Sequence, residues 1–167
     1  MDLDNIQLTP FLLQELYKTS MIEYPKTFTI AEKIQHAPVW NVLGNNLKGV
    51  IIMVYGENSL HLPDEQLNFL MGILAACKLS MEDVAIINLA TNKPVTYKAL
   101  ELDLKAEKII LFGVSPAQIT LPLEFPHYQI QRYNNQTYLV SAALNIVRAD
   151  KAEKTKLWNC LKQIFIS

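Results

Sequence analysis

Glu57 and Asn88 are the residues best suited, by type and position, to do chemistry. Glu57 follows Gly56 directly after the apolar run Val50 to Tyr55. A carboxylate at the end of a buried strand can stand at a pocket mouth, where burial raises its pKa and suits it to acid–base work. The bland alternative is a solvated loop Glu. Asn88 stands near the end of a second apolar run, Val84 to Leu89. Its amide carries a paired donor and acceptor that can read a base or another amide-bearing ligand, whereas a loop-capping Asn uses the same groups on its own backbone. His36, His61 and His127 are scattered, with no acid at the spacing that a metal site or a catalytic relay requires. Ser59, Ser115 and Ser141 lack the glycine pattern of a nucleophile elbow. No glycine-rich phosphate loop follows any apolar run. Cys77 and Cys160 have no nearby ligand partner and read as buried structural thiols. Neither a metal nor a cofactor is expected.

The elements that must position these residues are readable from hydrophobic periodicity. Gly49 to Tyr55, Val84 to Leu89 and Lys108 to Gly113 are continuous apolar runs of strand length, the pattern of strands buried on both faces. Between them lie helical patterns. Pro63-Asp64-Glu65 opens a helix to about Lys78, with Leu67, Leu70, Met71 and Leu74 on one side and acids where the helix dipole favours them. Thr96 caps a shorter helix through Leu104, and Pro116 to Ile119 reads as a brief helix. His127 to Arg132 and Thr137 to Val140 read as strands around the turn residues Asn134-Asn135. Asp150 with Glu153 resembles a capping box opening the last helix, whose Leu157, Trp158, Leu161, Ile164 and Phe165 face inward. Near the N-terminus, Thr9-Pro10 begins a helix to about Lys18, and Ser20 to Lys48 is less regular up to the Gly44-Asn45-Asn46 turn.

Strands alternating with helices in this way predict an α/β fold, a three-layer α/β/α sandwich around a central, mostly parallel sheet. The expected organisation is one domain over 1–167, with 1–48 an N-terminal helix and irregular extension and 49–167 the α/β core. Parallel crossovers bring strand C-terminal ends to one edge, where such folds hold ligands. Tyr55 to Asn58, Asn88 to Pro94 and Gly113 to Pro116 are expected to meet there.

Bulk composition narrows the classes. With 167 residues, half of them hydrophobic and 19% charged, the chain has the composition of a globular domain and not of a disordered one. A net charge of −1 supplies no overall basic field for non-specific nucleic-acid binding. The longest apolar runs fall well short of the roughly 18 residues that a membrane span needs. Met1-Asp2-Leu3-Asp4 carries acids where a signal peptide carries Lys or Arg, so the expected location is cytoplasmic, without membrane association.

The segment SAALNIVRADKAEKTKLWNCL, residues 141–161, carries a family resemblance. Its order of apolar turn, Arg and Trp-bearing helix resembles the C-terminal layout of uracil-DNA glycosylases of the bacterial and archaeal iron–sulfur type. LSMEDVAIINLATNKP and LKAEKIILFGVSPAQI are similar to that superfamily's second and third strand segments. The resemblance covers about residues 49 to 165. Counting back from Arg148 puts the family's catalytic His on Ala142, and the four cluster cysteines are absent. The resemblance therefore implies a degenerate pocket of Gly56, Glu57, Asn58, Asn88, Ser141 and Ala142, with no catalytic residue.

A closer match is the psi subunit family of bacterial DNA polymerase III, a non-catalytic branch of the same fold. Ser141, Ala143, Leu144, Arg148, Ala149, Leu157 and Trp158 fit its C-terminal pattern without a gap. This resemblance implies an interaction subunit that bridges the clamp loader and a chi-like subunit, docking through Leu12, Leu13, Leu16, Tyr17 and Ile22. Direct DNA binding is expected to be weak. Two other readings stand beside it: a divergent uracil-DNA glycosylase using Glu57 and Asn88, and a nucleic-acid or nucleotide binder that keeps the old pocket.

Overall fold

The computed structural model describes residues 39–92 and 94–166. Six strands form one mixed sheet: β1 (Val42–Leu43), β2 (Val50–Val54), β3 (Val84–Asn88), β4 (Lys108–Phe112), β5 (Ile130–Tyr133) and β6 (Gln136–Ser141). Four α-helices accompany them among the described residues: α1 (Asp64–Ala76), α2 (Tyr97–Leu104), α3 (Leu144–Ala149) and α4 (Lys151–Phe165). Pro116–Ile119 forms a single 3-10 turn. The protein is thus of mixed α/β class, and no described helix is long and apolar enough to cross a membrane.

The strand order is β1-β3-β2-β4-β6-β5. The inner strands β3, β2, β4 and β6 run parallel, while β1 and β5 close the two sides antiparallel. Every residue of β2 and β3 is buried, as their unbroken apolar sequences require. Alternation divides the core between the two faces. Val50, Ile52, Val84, Ile86, Ile110 and Leu139 pack with Leu70 and Leu74 of α1 and Leu157 and Leu161 of α4. Ile51, Met53, Ala85, Ile87, Ile109 and Tyr138 pack with Leu100 of α2 and Ile119 of the 3-10 turn. Each fully buried Val, Leu, Ile or Met side chain among these stabilises the fold by about 1.5–3 kcal/mol.

Register is what positions the candidate site. Asn88 pairs with Val54, Val54 with Phe112, and Phe112 with Ser141, so these four residues form one row across the sheet at the strand C-termini. The loops beginning at Tyr55, Leu89, Gly113 and Ala142 all leave from that row. Thr96 caps α2 by accepting from the Ala99 N–H, and Asn134-Asn135, both at positive φ, form the two-residue hairpin turn between β5 and β6.

Several sequence-based expectations need correction. Residues 42–43, assigned to the irregular extension, are the edge strand β1, turned into place by Gly44 at φ +107°. Met71, assigned to the inner face of α1, is 47% exposed, and Phe69, Ile73 and Cys77 pack against the core instead. The strand expected from His127 begins at Ile130, because Tyr128 takes a positive φ and leaves His127 as a lone bridge to Val140. Asp150 caps α4 through the Ala152 N–H, but Glu153 completes no capping box because its carboxylate binds Tyr128 and Lys156. The stretch before Arg148 is a separate short helix, α3.

Candidate functional site

The loop after β2 turns back over the end of β3, and Asn88 holds it there. Asn88 is 0% exposed. Its Nδ2 donates to the carbonyl oxygens of Gly56 at 2.7 Å and Ser59 at 2.8 Å. Its Oδ1 accepts from the backbone N–H groups of Gly56 at 3.0 Å and Ala90 at 3.1 Å. Both donors and both acceptor positions of the amide are therefore occupied by this chain. Reading an incoming base with Asn88 requires breaking these bonds in a buried place, where each lost partner costs about 1–3 kcal/mol. Asn92 extends the arrangement by exchanging hydrogen bonds with the backbone of Asn41 at 2.7 and 3.0 Å.

Glu57 does not occupy a buried pocket mouth. It is exposed, and its Oε1 accepts from the Tyr55 hydroxyl at 2.8 Å. The nearby carboxylate raises the Tyr55 pKa, first through that hydrogen bond. Asn58 is also exposed. The structure brings Gly56 and Asn88 into direct contact, whereas Glu57 and Asn58 turn toward water.

Across the same edge, Ser141 is fully buried at the end of β6, and its Oγ lies 3.2 Å from the Ala142 carbonyl oxygen. Gly113 approaches so closely that an added Cβ would stand 2.8 Å from the Ala143 Cβ. The group facing Ala142 is a phenol. The Ala142 N–H donates to the Tyr128 hydroxyl oxygen at 3.2 Å, and that hydroxyl donates to Glu153. Lys156 reaches the other oxygen of Glu153 at 2.9 Å. The Tyr128 hydrogen bond, with Lys156 second, holds the Glu153 carboxyl below its ordinary pKa, while burial pushes Tyr128 up. Sequence reasoning missed this trio because Glu153 also fits a helix cap and because nothing local marks Tyr128, which is 25 residues from its partner.

The remaining candidates are dispersed. A cavity of about 390 Å³ lies beside Gly113, Ser115, Glu124 and His127, away from the Asn88 clasp. The His127 ring stands edge-on to Tyr128 with centroids 6.0 Å apart. His61 is half-buried in the β2–α1 connection, and its Nδ1 has no hydrogen-bond partner. Cys77 and Cys160 are both free and buried. Among the described residues, no group of three or more His, Cys, Asp or Glu is placed to hold a metal ion. Leu12, Leu13, Leu16, Tyr17, Ile22 and His36 lie outside the described residues.

No protein-family model matches the chain, and no curated protein matches it in sequence. What it can do chemically is bounded by the geometry of the sheet edge. At the strand C-termini that geometry offers a loop clasp and a tyrosine–glutamate–lysine network, each consumed by contacts within the chain.

Proposed function

We propose that this chain is a non-catalytic interaction subunit of the DNA polymerase III psi type, bridging a clamp loader and a chi-like partner in the cytoplasm. Its fold, on this reading, is a three-layer uracil-DNA glycosylase-like sandwich whose pocket has degenerated. The observation that carries the proposal is the Asn88 clasp, which commits to loop anchoring the one amide that a base-reading relative would turn on its ligand. Two further features support it. The Ala142 N–H donates to the Tyr128 hydroxyl, whose own proton is already given to Glu153. The residues of the psi-like pattern also serve the frame: Leu144 and Leu157 are buried, and Arg148 binds Glu65 at 2.6 Å. A packed core of this type persists whether or not its edge performs chemistry.

Co-purification tests the proposal. A tagged copy expressed in its own cells should bring down clamp-loader and chi-like subunits, and recovery of neither rejects it. Incubation with uracil-containing single strands should release no uracil above background. Release that disappears in Glu57→Ala would replace this reading with a divergent glycosylase. Single-strand binding should be weak; tight binding that falls steeply with salt would favour a nucleic-acid binder.

A further inference from the structure

An open apolar trough runs between α1 and α4 on the face of the sheet opposite α2. Phe69, Gly72 and Ile73 line one wall, and Leu157, Trp158 and Leu161 the other, around a volume of about 440 Å³. Phe69, Ile73 and Trp158 are only half-buried, so the space is a surface groove and not an enclosed cavity. A small ligand in a built pocket is buried over most of its surface, which an open groove cannot provide.

Gly72 marks the trough as more than incidental. It stands inside α1, where glycine is less stable than alanine for want of conformational restriction. Its backbone is not in the left-handed region, and a Cβ added there would meet nothing within 4 Å. The fold itself has no need of a glycine at this position. Gly72 lines the trough, and the space beside it is open.

The charges around the trough are one-sided. Lys154 reaches across to the Phe69 ring at 5.5 Å, and Lys162 lies over Trp158 at 5.5 Å. Neither has a carboxylate within ion-pair distance among the described residues, whereas Glu65, one turn before the trough on α1, is already held by Arg148 at 2.6 Å. Lys154 is the charged residue of the lining, and Lys162 stands one turn further along α4 over the Trp158 ring, so an apolar floor flanked by ammonium groups complements a partner with an apolar stripe and acidic flanks. The lining positions on α1 run from Asn68 to Ala76, about 12 Å at the helical rise. That length accommodates anchors at i, i+3, i+4 and i+7 of a helix laid in a groove.

We infer that the α1–α4 trough binds an acidic amphipathic helix of a partner protein. The inference is drawn from α1 and α4 alone and does not rest on the clamp-loader reading. The test uses the full chain and two labelled synthetic helices, each with leucines at i, i+3, i+4 and i+7, one flanked by glutamates and the other by lysines. In fluorescence anisotropy the glutamate peptide should bind at least about tenfold more tightly, with the difference shrinking as salt screens the rim. Gly72→Trp should weaken that binding at least about tenfold while leaving the far-ultraviolet circular dichroism unchanged. The double variant Lys154→Glu, Lys162→Glu should reverse the preference between peptides and gives a second reading if Gly72→Trp fails to fold. Equal affinity for the two peptides, or binding of neither, overturns the inference. So does a self-associated chain that Gly72→Trp converts to monomers, since the occupant would then be a second copy.

Discussion

Asn88 and Gly56 are joined by two reciprocal hydrogen bonds, the Asn88 Nδ2 donating to the Gly56 carbonyl at 2.7 Å and the Gly56 N–H donating to Asn88 Oδ1 at 3.0 Å. The pair sits 32 residues apart in sequence and locks the loop after β2 onto the end of the neighbouring strand. Asn88→Ala should destabilise the fold by about 1–3 kcal/mol, because it strands backbone groups that the amide now satisfies. Asn88→Asp should cost more at neutral pH despite its shape, since it removes both donors and sets a carboxylate against the Gly56 and Ser59 carbonyls. Urea unfolding of the two variants checks the order, and an Asp variant as stable as wild type would refute the clasp.

Tyr128 and Glu153 make a second checkable pair. The folded-state pKa of Glu153 is lowered, so its contribution is fully present above the unfolded value near 4.3 and is lost as pH falls through the folded value. Tyr128→Phe removes the leading cause of that shift. The variant should therefore show a shallower loss of stability between neutral pH and acid than wild type, measured as thermal midpoint against pH. An unchanged acid limb would mean that the hydroxyl does not bind Glu153 in solution.

Gly44 governs the entry to the sheet. At φ +107°, with Val84 O only 2.2 Å and Met81 O 2.5 Å from an added Cβ, it tolerates no side chain without backbone movement. Gly44→Ala should cost about 2 kcal/mol or more. Amide exchange at Asn46, whose N–H donates to Val84 O, should accelerate in the same variant. A neutral substitution would show that β1 follows another path.

Cys77 and Cys160 should resist a thiol reagent in native buffer and react as urea unfolds the chain. Burial raises both thiol pKa values and shields both sulfurs. Fast native labelling of either would place it nearer the surface than the packing of α1 and α4 allows.

How far the sequence was legible depended on whether a residue's partner was near in the chain. Val50 to Val54 and Lys108 to Phe112 are recognisable as central strands because continuous apolar runs have few other uses, and Thr96 is recognisable as a cap because its partner Ala99 is three residues away. Asn88 could be placed at the edge, but its choice between a ligand and its own chain rested on Gly56 and Ser59 across the sheet. Glu153 was misassigned for the same reason: the local cap signal lost to Tyr128, a partner that only folding brings near. Met71 follows the helical spacing of Leu67 and Leu74, yet in the fold it is exposed while Leu70 and Leu74 are buried.

The outer side of β3 has a consequence for how the protein behaves when concentrated. Beyond the two-residue β1, the N–H groups of Asn46, Leu47 and Lys48 donate to carbonyls of 82–84, and Asn41 is tied to Asn92 at the other end. This stretch of loop sheathes the border of the sheet along most of its length. Among the described residues a foreign strand arriving there finds only the two residues of β1 to extend, whereas β5 offers a four-residue edge, on which exposed Arg132 places a like charge against any stacked copy.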